Sequence, residues 1–303
     1  MIDASGDIRW YLDPQTLWKP ESMDSAGVMM GFCQNPDGTM TWGFGQRYVR
    51  FDLMGRDIFN RRLPAGYNDF SHAMDPMPNG HYLLRVASSD LRRADGKRIR
   101  TVRDVIIEVD QAGFVVDEWR LFDILDPYRA TVLKALDQGA VCLNIDSTKA
   151  GQTMSTAELQ RQETDARFGD ITGTGWREPW RPLVLKPVTG DGKPVACTAV
   201  DCKGGFDWTW TQHTACRIDS KSTKDVVYIT VFDNGDGRAF LQPDDPREKY
   251  SRAVVYKVNQ KKMTVEQVWQ YGKERGSDWY SPVTSLTEYL ADKDSIVVYA
   301  AFA

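Results

Sequence analysis

Ser71-His72-Ala73-Met74-Asp75-Pro76-Met77-Pro78-Asn79-Gly80-His81-Tyr82-Leu83-Leu84-Arg85-Val86, followed later by Ile106-Ile107-Glu108-Val109-Asp110-Gln111-Ala112-Gly113-Phe114-Val115-Val116-Asp117-Glu118-Trp119, decides the fold class. The first stretch is a strand opening on polar residues, a turn at Asn79-Gly80 and an apolar strand. The second is strand, turn and strand again, closing on a bulky residue. Both kinds recur. The first kind returns at 31–42 through Asp37-Gly38, at 211–232, and at 281–299 with its turn at Asp292-Lys293-Asp294. The second returns at 2–10 around Ser5-Gly6, at 48–58 around Met54-Gly55, and at 254–269 around 259–262. One hairpin of the first kind followed by one of the second gives four antiparallel strands, which is a propeller blade. The expectation is an all-β chain: a β-propeller of four-stranded antiparallel blades with short helical insertions. A β-sandwich is the alternative.

Working outward, residues 1–303 read as a single propeller domain incomplete at both ends, with four blades or part-blades. A helical insertion is expected over 123–170. Within it a short helix over 126–136 places Val132, Leu133 and Leu136 on one apolar face, and Ser155 with Glu158 forms a capping box before a polar helix to Arg167. Residues 169–194 hold five Gly and four Pro with no readable strand pair. That irregular segment stands where a blade is expected and missing.

Composition excludes several function classes. The 303 residues carry a net charge of −4 and 42% hydrophobic residues, and ten Trp, twelve Tyr and twelve Phe supply ample area for burial. Disorder is therefore excluded. No apolar run approaches the length of a membrane span. With no basic block, nucleic acid is not an expected partner. The start at Met1-Ile2-Asp3-Ala4 lacks the basic and apolar regions of a signal peptide. The five cysteines are Cys33, Cys142, Cys197, Cys202 and Cys216, of which only Cys197 and Cys202 lie close together. From the sequence alone a loop disulfide there and two free thiols both stand.

The chain has three histidines. His72 and His213 both open a hairpin of the first kind, on the innermost strand of a blade, where equivalent positions converge on a central channel. His81 follows a turn and reads as an ordinary strand residue. Imidazole serves as nucleophile, general base or general acid near neutral pH, so two at one repeat position are candidate catalytic residues. Asp233-Asn234-Gly235-Asp236-Gly237-Arg238 resembles a calcium loop but lacks the spacing and the terminal glutamate, so a tight turn is expected. Arg238 and Arg252 flank it as candidates for an anionic ligand or as plain surface charges. Cys197, Cys202, His213 and Cys216 have a zinc-like spacing. Strand residues three apart face opposite ways, however, so His213 and Cys216 are not expected to share an ion. No metal site is expected, and no G-x-S-x-G, Walker or dinucleotide-binding pattern is present.

Further stretches carry a family resemblance. Thr209-Trp210-Thr211-Gln212-His213-Thr214-Ala215, Phe232-Asp233-Asn234-Gly235-Asp236-Gly237-Arg238, Lys249-Tyr250-Ser251-Arg252 and Tyr271-Gly272-Lys273-Glu274-Arg275-Gly276 are the most specific of them. With Arg9-Trp10-Tyr11-Leu12-Asp13, Pro78-Asn79-Gly80 and Gly139-Ala140-Val141-Cys142 they resemble the bacterial PAPS-independent aryl-sulfate sulfotransferases. The resemblance implies a periplasmic, homodimeric, six-bladed propeller preceded by a small β-sandwich domain. It further implies transfer of a sulfuryl group from a phenolic sulfate donor to a phenolic acceptor, by a ping-pong cycle through a sulfohistidine and without any cofactor. By motif match His213 falls on the nucleophile, and His72 on a channel histidine that binds the donor or protonates its leaving group. Cys197 and Cys202 fall on the family's loop disulfide, which implies an oxidising compartment.

Two features of the family are missing. Its third channel histidine, in a W-x-H-x-N stretch, and an arginine on the next strand have no counterpart, since Phe168-Gly169-Asp170 runs through Trp176 and Trp180 to Leu185-Lys186-Pro187. Loss of one transition-state donor lowers a rate by about 100- to 1000-fold. The expected function is therefore sulfuryl transfer, impaired in this chain. The alternative is a catalytically inactive propeller that binds phenolic or sulfated ligands or a protein partner.

Overall fold

The computed structural model describes residues 3, 5–11, 30–68, 70, 72–88, 105–124, 181–197, 202–210, 212–235, 238 and 246–302. The chain divides into two compact units, Met1–Leu125 and Asp126–Ala303. The helices expected within 126–167 and the first part of 169–194 lie outside the described residues.

The first unit contains two antiparallel sheets. One runs β1 (Met30–Gln34), β2 (Met40–Phe44), β3 (Arg47–Phe51) and β4 (Asp57–Arg62), in that spatial order. The other holds β5 (Tyr67–Asn68), β6 (Met74–Pro76), β7 (Tyr82–Ser88), β8 (Val105–Val109) and β9 (Val115–Arg120). There β5 and β6 both pair with β7, at Ala87–Ser88 and Tyr82–Leu84 respectively. A single helical turn, α1 (Leu121–Ile124), follows. Alternation explains the packing. Tyr82, Leu84 and Val86 on β7 and Val105, Ile107 and Val109 on β8 point inward, where they meet Tyr48, Phe70 and Met74. Met40, Trp42, Val49 and Phe51 form a second cluster that takes in Trp10, whose indole N–H donates to the Leu53 carbonyl. The first sheet is thus apolar on both faces, one set against the second sheet and the other taking in Trp10.

The second unit contains β10 (Lys186–Val188), β11 (Gln212–Arg217), β12 (Val226–Asp233), β13 (Arg252–Asn259) and β14 (Thr264–Tyr271) in the order β10-β14-β13-β12-β11, with a separate hairpin of β15 (Leu286–Leu290) and β16 (Ser295–Tyr299). All pairings are antiparallel except β10 with β14. That parallel strand lies in the stretch read as strandless, and at three residues it is too short to give an alternation signal. Val231, Val254, Tyr256 and Val265 pack under Phe206, with Leu185, Val195 and Trp208 around them. Cys197 and Cys202, joined by a disulfide, lie against the same cluster. On β12 the buried Thr230 hydroxyl donates to Thr287 O of β15 at 3.0 Å, tying the last hairpin to the sheet.

Six turns share one geometry: Asp3–Asp7, Asn35–Thr39, Asp52–Arg56, Met77–His81, Asp110–Phe114 and Thr189–Lys193. In each, the first N–H donates to the carbonyl four residues on, and a glycine at the fourth position returns a bond to the first carbonyl. Those glycines have φ between 78° and 93°, which strongly favours glycine. Asp3, Asp52 and Asp110 add a carboxylate that accepts from the turn's own N–H groups. Five of these turns join hairpins read as repeats in the sequence, while those at 211–232, 254–269 and 281–299 turn otherwise.

Candidate active site

His213 lies on β11, and a bulge sits between it and Cys216: His213 pairs with Phe232, while Cys216 pairs with Thr230. Thr214 absorbs the extra residue at φ 51°, a conformation rare outside glycine. Its hydroxyl donates to Ser285 O at 2.6 Å. The half-buried His213 ring meets Asn234 Oδ1 through Nδ1 at 2.6 Å. Among the described residues its Nε2 has no hydrogen bond. Two of the remaining positive-φ residues, Thr284 (56°) and Ser285 (84°), lie in the loop that faces this pair. Strain of this kind is retained where the surroundings hold it in place.

Behind the histidine lies a buried ion network. Asp233 and Arg252 are both fully buried. Asp233 Oδ1 accepts the Trp210 N–H at 2.7 Å and the Gly235 N–H at 3.1 Å, and Oδ2 accepts Arg252 Nε at 2.8 Å and Arg238 Nη2 at 2.7 Å. Arg252 donates from Nη1 to Gln267 and Gln270, and from Nη2 to Asp207 O, Trp208 O and the Tyr256 hydroxyl. Arg238 Nη1 binds Asp207 Oδ2 at 2.8 Å, and its guanidinium lies 4.1 Å from the Tyr250 ring centre. Neither arginine is the plain surface charge of the one alternative, and most of their donors are used within the protein rather than held free for an anionic ligand. Arg252 has no N–H left for one, and both terminal nitrogens of Arg238 are engaged by carboxylates. Asp233, which opens the expected tight turn, uses its carboxylate within the protein, and residues 236 and 237 of that turn lie outside the described residues.

Burial pushes Arg252 down as a cation, but Tyr256, Asp233 and Asp207 outweigh it and raise its pKa. The Tyr250 phenol donates to Asp207 Oδ2 at 3.0 Å, and burial pushes it up to about 12, with Arg238 partly opposing and Asp207 assisting. The folded state therefore holds this proton more tightly than the unfolded chain does. That stability is present below pH 10 and lost as the pH rises through about 12. Resistance to urea should fall over this window, and Tyr250→Phe should flatten the fall. An unchanged slope would remove Tyr250 as its source.

His72 belongs to the first unit. It was expected on an innermost strand, but it stands between β5 and β6 at φ 66° with an exposed side chain. The strand is broken there because β5 and β6 pair with separate parts of β7. Gly31 of β1 packs against the backbone, since a Cβ at Gly31 would lie 2.7 Å from His72 O. His81 is a strand-end residue with Nδ1 2.5 Å from Glu108 Oε1. Cys197 and Cys202 are bonded to each other, so the zinc-like spacing holds no ligand set, and no cluster suited to a metal occurs among the described residues. Sequence reasoning passed over Asn234, Ser281 and Thr284. Asn234 read only as part of a turn, and no residue type marks a backbone carbonyl as functional.

The described residues form an all-β protein in which a half-buried imidazole stands at a bulge, backed by a buried ion network. The family model for arylsulfotransferase (ASST) matches residues 1–175 and 167–303, and the chain belongs to that family. It is 41% identical to the arylsulfate sulfotransferase AssT of Escherichia coli O6:H1 and 39% identical to that of Lelliottia amnigena. Each alignment covers 98% of this chain and 56% of the relative, so the chain spans little more than half the length of these proteins. Each runs over 347 residues, so at least 44 positions (347 less 303) have no counterpart here. A protein of unknown function from Bacteroides caccae covers 89% of this chain and 69% of its own at 9% identity and a TM-score of 0.38, a likeness too slight to bear on the fold. Among the described residues no helix is long and apolar enough to cross a membrane.

Proposed function

We propose that this chain transfers a sulfuryl group from a phenolic sulfate to a phenolic acceptor through His213. The observation that supports it most is the state of that ring: Nδ1 is held by Asn234, and Nε2 has no hydrogen-bond partner among the described residues. In this reading the Nε2 lone pair forms an N–S bond while the bond from sulfur to the bridging oxygen breaks, its electron pair leaving on phenolate. An acceptor phenolate then attacks sulfur and returns the N–S pair to Nε2, completing a ping-pong cycle. His72 takes the role that the resemblance gives it, binding the donor or protonating its leaving oxygen. The propeller, the homodimer and the periplasmic setting belong to the same reading, and the Cys197–Cys202 bridge agrees with an oxidising compartment.

Rapid quenching with a chromogenic aryl sulfate and peptide mass spectrometry tests this. The expected result is a sulfuryl adduct on the peptide carrying His213, with a matching burst of phenolate. Phenol release with the adduct on another residue would overturn it. The missing aligned positions favour a second reading, an inactive binder of aryl sulfates. Equilibrium binding with neither adduct nor phenol would select that one.

A further inference from the structure

We infer that Asn234 is a positioning residue that fixes the tautomer of His213 and thereby decides which ring nitrogen attacks; this rests on the reading of His213 as the nucleophile. Asn234 is fully buried. Its Nδ2 donates to two backbone carbonyls, Ser281 O at 2.7 Å and Thr284 O at 3.0 Å. A carbonyl only accepts, so the NH2 end of the amide must face this pair, and turning it over would set oxygen against two oxygens. The remaining end, Oδ1, therefore faces His213 Nδ1 at 2.6 Å. An amide oxygen also only accepts, so Nδ1 must carry the proton. In the neutral ring the lone pair then resides on Nε2.

The two carbonyls are themselves held. The Ser281 N–H donates to Ser251 Oγ at 2.8 Å, and that hydroxyl lies 2.8 Å from Asn234 O. Thr284 and Ser285 adopt left-handed backbone, and Thr214, the residue after the histidine, donates to Ser285 O. One loop thus grips both the amide that orients the ring and the bulge that presents it. Supports of this kind fix the tautomer and direction of a reactive imidazole.

Two variants separate positioning from plain support of the fold. Asn234→Ala removes the acceptor and both donations. Asn234→Asp removes the donations but keeps an acceptor oxygen facing Nδ1, so both should melt earlier. The tautomer of His213 is read by NMR of the 15N-histidine-labelled chain, with single-turnover sulfuryl transfer measured alongside. Expected are a single Nδ1–H form in the wild type and in Asn234→Asp, and a mixture in Asn234→Ala. Transfer in Asn234→Ala should fall by about 10- to 100-fold in rate with little change in KM, while Asn234→Asp keeps most of it. A wild-type ring protonated on Nε2, or wild-type tautomer and rate in Asn234→Ala, would overturn the inference. So would rates that follow the melting temperature alike in both variants. If His213 never receives a sulfuryl group yet its tautomer responds as described, the functional reading fails and the tautomer assignment stands.

Discussion

Replacing His213 by alanine is expected to abolish sulfuryl transfer, by about 10⁴-fold or more, while the chain still folds. The size follows from the role. Without the imidazole no covalent intermediate forms, and losses of this order accompany removal of a nucleophile. The survival of the fold follows from the position. His213 is half-buried on β11, the edge strand of its sheet, so its ring adds little to the core. Its loss leaves Asn234 Oδ1 without a donor, an effect of about 1 kcal/mol. Transfer assays against the wild-type chain, with thermal melts of both, check each half. Transfer that persists in the alanine variant would remove His213 as the nucleophile.

Arg252→Ala should instead destabilise the second unit by about 3–5 kcal/mol, the usual consequence of removing one member of a buried ion pair. The side chain is fully buried, so water cannot take over its bonds. The loss takes one of two guanidiniums from the Asp233 carboxylate, leaving only Arg238, and removes donors from Asp207 O and Trp208 O at once. Lysine should rescue little, since one ammonium cannot reproduce a planar fork that bonds at Nε, Nη1 and Nη2. Denaturant unfolding measures this directly. A loss below about 1 kcal/mol would mean that the network relaxes around the gap.

The hairpins were legible because each is dictated locally. Gly38, Gly55, Gly80 and Gly113 fix the turns, and alternation such as Tyr82-Leu83-Leu84-Arg85-Val86 fixes the faces. The order of the hairpins foretold which strands pair, and three sheets follow it. The Cys197–Cys202 bridge was left open by spacing and implied by the resemblance. What stayed hidden has no local signature. Thr214 bends without glycine because the loop at 284–285 holds it from across the sheet. His72 leaves its strand because two short strands compete for different parts of β7. Arg238 and Arg252 read as anion binders or as surface charges, since nothing in their neighbours announces that Asp207 and Asp233 meet them in the interior. Asn234 was in plain view but anonymous, because its importance lies in the two carbonyls it faces.

The short β10 has a consequence for how the molecule behaves among its own copies. A sheet ending at β14 would offer a long ladder of open N–H and C=O groups, an invitation to stick to any other strand. Instead three residues, Lys186 to Val188, occupy part of that ladder in parallel. The middle one is proline, which has no N–H to offer outward. Growth past this edge of the sheet is thereby disfavoured from within, by a cationic side chain, an imino acid and a strand too brief to template a successor.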